Sequence, residues 1–246
     1  MPARFLAHPV LRLRSRSANL RYSKVKFYKG KVVLAAILYD LDGTIADTDP
    51  VHFIAWQDCL SEFGISINET IYKQRMSGRT NPPIIAEFLP QLTPPESEAL
   101  ADRKEARFRE LATQLQPMAG LLELIDWAKQ HSLKQAVVTN APRENAHFML
   151  QVLKLDQVFD RLILADDLGI GKPDPAPYNY ALKEFGLEAH QALAFEDSPS
   201  GVRSAVAAGI PTIGITSTQM PETLNGLGVK FAIADFTTPE LWALLK

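Results

Sequence analysis

From residue 33 onward the chain alternates strand-sized apolar runs with helix-sized stretches, and this alternation restricts the possible folds most. The spacing predicts strands over Val33–Tyr39, Gln135–Thr139, Arg161–Leu164, Ala192–Phe195 and Thr212–Ile215. Helices are expected near Leu121–Gln130, Glu144–Leu153, Ala176–Phe185 and Pro199–Ala208. Strands separated by helices imply a parallel sheet covered on both faces. Right-handed crossovers then place the C-terminal ends of the strands on one edge. The fold class is α/β, a doubly wound parallel sheet. One region breaks the rhythm: residues 48–117 contain no convincing strand. They read as helices over Pro50–Phe63, Asn68–Met76, Pro82–Phe88 and a long charged Pro94–Leu115, whose Glu and Arg spacing over Glu98–Glu110 suits a solvated face. A core of residues 32–47 and 118–246, interrupted by a helical unit of residues 48–117, is the expected organisation.

The strand ends carry the chemistry. The first apolar run stops at Asp40-Leu41-Asp42-Gly43, so a buried strand delivers two carboxylates to the edge where open α/β sheets keep their sites. Residues i and i+2 of a strand share a face, and two close anions repel unless a cation or a shared proton intervenes. Asp-Gly is also ordinary turn chemistry, so the pair alone leaves a plain strand-to-turn reading open. The second run ends in Thr139-Asn140, which offer hydrogen-bond donors to an anion without adding charge, or simply cap the next helix. Lys172 lies between Gly171 and Pro173 on a restrained loop; it is a compact cation suited to phosphate, or a solvated surface lysine. The run Ala192–Phe195 ends in Glu196-Asp197. Four carboxylates on one edge repel strongly without a metal, and oxygen ligands with no cysteine or histidine cluster favour Mg²⁺ over zinc.

Composition bounds the partners. The chain has 246 residues, 46% of them hydrophobic, enough for one large domain or a core plus a smaller unit. Residues 1–31 hold nine Lys and Arg and no acid, which leaves 17 basic and 28 acidic residues beyond them, a balance of −11. That acidic body argues against nucleic acid as a partner. No apolar run approaches the ~20 residues of a membrane helix, so no membrane partner is expected. The single cysteine, Cys59, rules out an internal disulfide and points to a reducing, cytoplasmic compartment. The basic, Ser-rich stretch 1–31 is expected to be a disordered extension upstream of the compact domain; an organelle transit peptide is the alternative.

Taken in order, Asp40-Leu41-Asp42-Gly43-Thr44, Thr139-Asn140, Lys172 and Glu196-Asp197 resemble the four motifs of the haloacid-dehalogenase (HAD) superfamily. Residues 47–64, Asp-Thr-Asp-Pro-Val-His-Phe-Ile-Ala-Trp through Glu-Phe-Gly, and the stretch Glu-Asp-Ser-Pro-Ser-Gly are similar to its β-phosphoglucomutase-like and sugar-phosphatase branch. The resemblance implies a HAD Rossmann-like core with an inserted α-helical cap domain of type 1. It implies Asp40 as the nucleophile, forming an aspartyl-phosphate, and Asp42 as the general acid/base. Mg²⁺ would be held by Asp40, Asp197, Glu196 directly or through water, and the backbone carbonyl of Asp42. Thr139, Asn140 and Lys172 would hold the transferring phosphoryl group.

In the cap, the turn Ser77-Gly78-Arg79-Thr80 places Arg79 where this branch meets substrate, for a second phosphate or a sugar hydroxyl; a solvent-facing arginine is the plainer alternative. His52 is expected to orient Asp42 or touch substrate, or to be structural, and Trp56, on the same helix face, to touch substrate or pack. Arg143 is a weaker phosphate candidate, or ordinary helix-start decoration. The implied function is a Mg²⁺-dependent phosphatase of a small phosphorylated metabolite, a sugar phosphate by preference, working as a monomer. Mutases of this branch usually carry Ser-Arg where this chain reads Gly78-Arg79, which favours the phosphatase over a phosphosugar mutase. All motif residues are present, against a non-catalytic binding module. The second acid Asp42 and the pair Glu196-Asp197 argue against dehalogenase chemistry. Phosphonatase chemistry needs a cap lysine, and Lys73 and Lys104 read as surface residues.

Overall fold

A computed structural model describes residues 34–245, and the expectation for residues 1–31 lies outside the described residues. Among the described residues one sheet holds six parallel strands: β1 (Ala36–Tyr39), β2 (Lys134–Thr139), β3 (Arg161–Leu164), β4 (Ala192–Glu196), β5 (Thr212–Ile215) and β6 (Ala232–Ile233). Their order is β3-β2-β1-β4-β5-β6. From β1 the chain first builds outward through β2 and β3, then returns to the other side through β4, β5 and β6. Between β1 and β4 lies the switch point at which such sheets open a crevice. This is the doubly wound α/β sheet expected, with its five predicted strands in place. Strand β1 starts at Ala36, where it pairs with both Lys134 of β2 and Ala192 of β4.

The strands are apolar on both faces because both faces are covered. Ile37 and Tyr39 join Val137, Phe195 and Ile213 in one core cluster. Ala36 and Leu38 join Ala136, Val138, Ala194 and Tyr178 in the other. Five helices lie between β1 and β2: α1 (Asp49–Ser61), α2 (Glu69–Arg75), α3 (Asn81–Phe88), α4 (Pro94–Leu111) and α5 (Leu121–Gln130). The first four share a separate apolar centre that includes Trp56, Leu60, Tyr72, Met76, Ile84 and Leu100. The remainder are α6 (Arg143–Val152), α7 (Ala165–Leu168), α8 (Ala176–Phe185), α9 (Pro199–Ala207), α10 (Pro221–Gly226) and α11 (Pro239–Leu245).

Two features of α4 correct the sequence reading. The helix stops at Leu111 instead of Leu115, because Ala112 and Leu115 leave the helical path to pack into the core beneath the sheet. Its polar residues are also not all solvated. Leu100, Lys104 and Phe108 form one stripe at i,i+4 spacing that faces inward. Lys104 is 3% exposed and Glu105 8%, so Lys104 is not the surface residue its type suggests.

Candidate active site

Asp40 closes β1, its N–H donating to the Phe195 carbonyl of the neighbouring strand (3.0 Å). Its Oδ1 accepts a hydrogen bond from Lys172 Nζ (2.5 Å), which also donates to Glu196 Oε1 and the Val138 carbonyl (2.6 Å each). Three donors of one ammonium are thereby used on three neighbouring strands. Tyr178 of α8 donates to the same Glu196 Oε1 (2.6 Å). The other Glu196 oxygen, Oε2, is buried with no hydrogen-bond partner among the described residues. Asp197 accepts from Thr218 Oγ1 at Oδ2 (2.7 Å) and from Thr44 Oγ1 at Oδ1 (3.4 Å).

Two glycines make room for these acids. Gly43 has φ +73°, and a Cβ there would collide with the Asp197 carboxylate. A Cβ at Gly201, in the first turn of α9, would strike the Glu196 carboxylate. Asp40, Glu196 and Asp197 each offer an oxygen within 4.8 Å of the others'. Burial pushes all three carboxyl groups upward: Asp40 above its usual value, Glu196 to about 8, and Asp197 well up, the last with added repulsion from Asp40 and Glu196. Lys172 offsets part of this at Asp40 and Glu196. An all-oxygen donor set with an orphaned buried oxygen and mutually repelling acids fits a hard divalent cation. The Asp42 side chain stands outside this cluster.

Asp42 faces the helical insertion. Its Oδ1 accepts from Thr48 Oγ1 (2.8 Å) and lies 3.2 Å from His52 Nε2. His52 Nδ1 lies 2.9 Å from Lys104 Nζ. An ammonium only donates, so Nδ1 accepts and the Nε2 proton is directed at Asp42. The imidazole is held flat on Phe108 (centroids 4.1 Å apart, planes at 13°). Burial pushes the Asp42 carboxyl up, but His52 and the Thr48 hydrogen bond outweigh it and leave it below its usual value. Lys104 continues to Glu105 (2.9 Å), which also accepts from Asn81 of α3 (2.6 Å) and from Asn145 of α6 (2.5 Å).

The remaining predicted residues have specific placements. Thr139 Oγ1 accepts from the Ala141 N–H (2.9 Å), and Asn140 clasps the Lys172 backbone, Oδ1 to its N–H (2.9 Å) and Nδ2 to its carbonyl (3.0 Å). Both line the cavity, but Asn140 acts first on the loop that carries Lys172. Arg79 also lines it, with its guanidinium on Glu87 (2.6 Å). Trp56 is buried in the insertion and reaches the cavity wall. Arg143 instead pairs with Asp167 and does not line the cavity. The sequence reading missed Thr48, Lys104, Glu105, Asn145, Tyr178 and Thr218. For Lys104 a signal existed: it occupies an apolar stripe position between Leu100 and Phe108. The cavity, about 530 Å³, runs from Asp40 and Lys172 at the sheet edge to Arg79, Asn81 and Glu105 in the insertion.

A lysine bridging two strand-end acids, a second carboxylate held apart and a half-open cavity between sheet edge and insertion suit a hydrolase site on a Rossmann-like sheet. The chain matches the family model of haloacid dehalogenase-like hydrolases over residues 37–215 and belongs to that family. It is 30% identical over 184 residues to the phosphorylated carbohydrates phosphatase of Thermotoga maritima, covering 73% of this chain and 84% of that protein. It is 31% identical over 191 residues to the validoxylamine A 7'-phosphate phosphatase of Streptomyces hygroscopicus subsp. limoneus, covering 76% and 88%. Among solved structures, a CbbY variant from Rhodobacter sphaeroides in complex with xylulose-(1,5)bisphosphate matches with a TM-score of 0.73 at 25% identity, over 83% of this chain and 95% of that one. The chain is accordingly a HAD-type phosphoric monoester hydrolase. Among the described residues no helix is long and apolar enough to cross a membrane.

Proposed function

We propose that the chain is a Mg²⁺-dependent phosphatase of a small phosphorylated metabolite, a sugar phosphate by preference, with residues 48–117 acting as a cap domain over the sheet edge. The observation that carries this reading is the split environment of two carboxylates two residues apart. Asp40 sits in the buried cluster with Lys172, whereas Asp42 is turned to Thr48 and His52. The first placement suits a nucleophile and the second a proton carrier. The phosphatase names of the relatives support the same class.

An Asp40 oxygen attacks phosphorus, the ester P–O bond breaks, and the leaving oxygen takes a proton from Asp42, which has to bind that proton before the step because its carboxyl titrates below its usual value. In the second step Asp42 removes a proton from water, the resulting hydroxide attacks phosphorus, and the P–O bond to Asp40 breaks to release phosphate. Lys172 holds Asp40 in place and supplies positive charge to the phosphoryl oxygens, joined by the Thr139 hydroxyl and the free Asn140 N–H. A Mg²⁺ ion bound by Asp40, Glu196, Asp197 and the Asp42 carbonyl would supply charge neutralisation for the transferring group. His52, steadied by Lys104, keeps Asp42 aimed at the reacting oxygen.

The test is phosphate release from a panel of phosphorylated metabolites, with and without Mg²⁺. Asp40→Asn should abolish Mg²⁺-dependent turnover of the best substrate and of p-nitrophenyl phosphate. Unchanged turnover in that variant would remove Asp40 from the nucleophile's role.

A further inference from the structure

Along the cavity the positive charges are already matched within the protein. Among the described residues, each cation lining it has an anionic partner: Lys172 has Asp40 and Glu196, Lys104 has Glu105, and Arg79 has Glu87. His52 is turned to Asp42. Arg79, with its side chain 36% exposed against 3% for each lysine, is the one of the three within reach of a second anionic group on a substrate. Its Nη1 donates to Glu87 Oε2 (2.6 Å) and also contacts the Arg75 carbonyl, and its Nη2 donates to the Pro83 carbonyl (3.4 Å). Glu87 Oε1 is taken by Arg75 Nε (2.7 Å), which lies over Phe88, so the carboxylate is fixed between two arginines.

The anions are less completely matched. Asp49 and Asp166 both line the cavity and have no ion-pair partner among the described residues; Asp49 accepts only from the hydroxyls of Tyr72 (2.8 Å) and Ser77 (2.7 Å). A second phosphate or a carboxylate brought to the Ser77-Gly78-Arg79 turn meets the Asp49 carboxylate, which is hydrogen-bonded to Ser77 and has no cation beside it among the described residues, and like-charge contact there is unfavourable. Hydroxyl groups fare differently. Asn81 and Asn145 each direct one amide proton to Glu105 and retain another, and the Glu105 carboxylate retains acceptor capacity. A hydroxyl, both donor and acceptor, matches such a wall.

Granted the phosphatase reading above, we propose that the enzyme selects monophosphates with a neutral, polyhydroxylated leaving group. Glu87 is the residue that sets this preference by occupying the Arg79 guanidinium. It acts through Arg79 and touches no reacting atom.

The test compares kcat/KM for a hexose monophosphate, the corresponding bisphosphate and phosphoglycolate, with p-nitrophenyl phosphate as a generic ester, all with Mg²⁺. The wild-type chain should favour the monophosphate over the other two metabolites by roughly tenfold or more. Glu87→Gln should narrow the monophosphate-to-bisphosphate ratio by roughly twofold to fivefold, the range accessible to an exposed ion pair. Adding Arg79→Gln should restore the original ratio. In the inactive Asp40→Asn background, calorimetry should show the same ordering for bisphosphate binding, with Glu87→Gln tighter. A wild-type preference for the bisphosphate or phosphoglycolate, or a ratio unmoved by Glu87→Gln, would overturn the proposal while leaving the phosphatase reading in place. No turnover of any of the four esters would remove both.

Discussion

Asp40 and Asp42 lie on one short segment, yet different neighbours decide what each can do. Lys172 engages Asp40, while Asp42 answers to Thr48 and His52 and, through His52, to Lys104. Replacing Lys104 by Met keeps the stem's length but removes the donor that fixes the imidazole. The expected result is a kcat lowered by roughly tenfold or more, since proton transfer by a well-aimed group is worth about 10²–10⁴-fold. The KM should move less. The same change leaves the buried Glu105 carboxylate without its cation, costing about 3–5 kcal/mol in denaturant unfolding. A Lys104→Met variant with kcat within about twofold of wild type would detach Lys104 from the Asp42 chain. The two aspartates were legible in the sequence because a buried strand cannot end in two acids without a chemical or turn-forming reason. Lys104 was not, because a lysine in a charged helix is by default solvated, and only the Leu100–Phe108 stripe marks it as inward.

Helices α4 and α6 meet through Glu105, Asn145 and Arg109, and this contact joins the helical insertion to the sheet-bearing core. Asn145 donates to Glu105 (2.5 Å) and accepts from Arg109 Nη1 (2.7 Å). Burial pushes the Glu105 carboxyl up, but Lys104, His52 and the Asn81 bond outweigh it, so it titrates below its ordinary 4.5 in the folded chain. A carboxyl whose folded value lies below its unfolded one stabilises the fold above the unfolded value and loses that contribution as pH falls through the folded value. Glu105→Gln should therefore be less stable than wild type near neutral pH, by about 3–5 kcal/mol, as expected when one member of a buried ion pair is removed. The gap should shrink on acidification below about pH 4.5. Urea unfolding of both proteins across that range measures it, and a constant gap would mean that the Glu105 charge is not what the contact uses. Periodicity made most of these elements legible, since a 3.6-residue or two-residue pattern survives in a single sequence. It failed where tertiary packing sets the boundary, as at Leu111, where the chain leaves α4 so that Leu115 can enter the core. It also failed for β6, whose two residues are too few to show a period.

The strand order brings Asp40 from β1 beside Glu196 and Asp197 from β4, although they are far apart in the sequence. Three buried acids served by one lysine oppose folding, and a divalent cation bound only by the folded chain, as proposed above, would reverse that opposition. Such binding adds RT ln(1 + [L]/Kd), about 2.7 kcal/mol at a hundredfold excess over Kd. For a chain of this size each kcal/mol moves Tm by about 2–4 °C, so saturating Mg²⁺ should raise Tm by roughly 5–10 °C over an EDTA-treated sample. Asp197→Asn separates the two terms. Without the metal it removes a buried acid whose ionised form is disfavoured by burial and by its neighbours, so its Tm should equal or exceed that of the metal-free wild type. With the metal it lacks a ligand, so most of the Mg²⁺ shift should vanish. Opposite signs at a single residue cannot arise from a general packing defect, which would lower Tm in both conditions. Thermal melts of the two proteins in EDTA and in Mg²⁺ therefore read the metal site independently of turnover, and a full Mg²⁺ shift retained by Asp197→Asn would remove that residue from it.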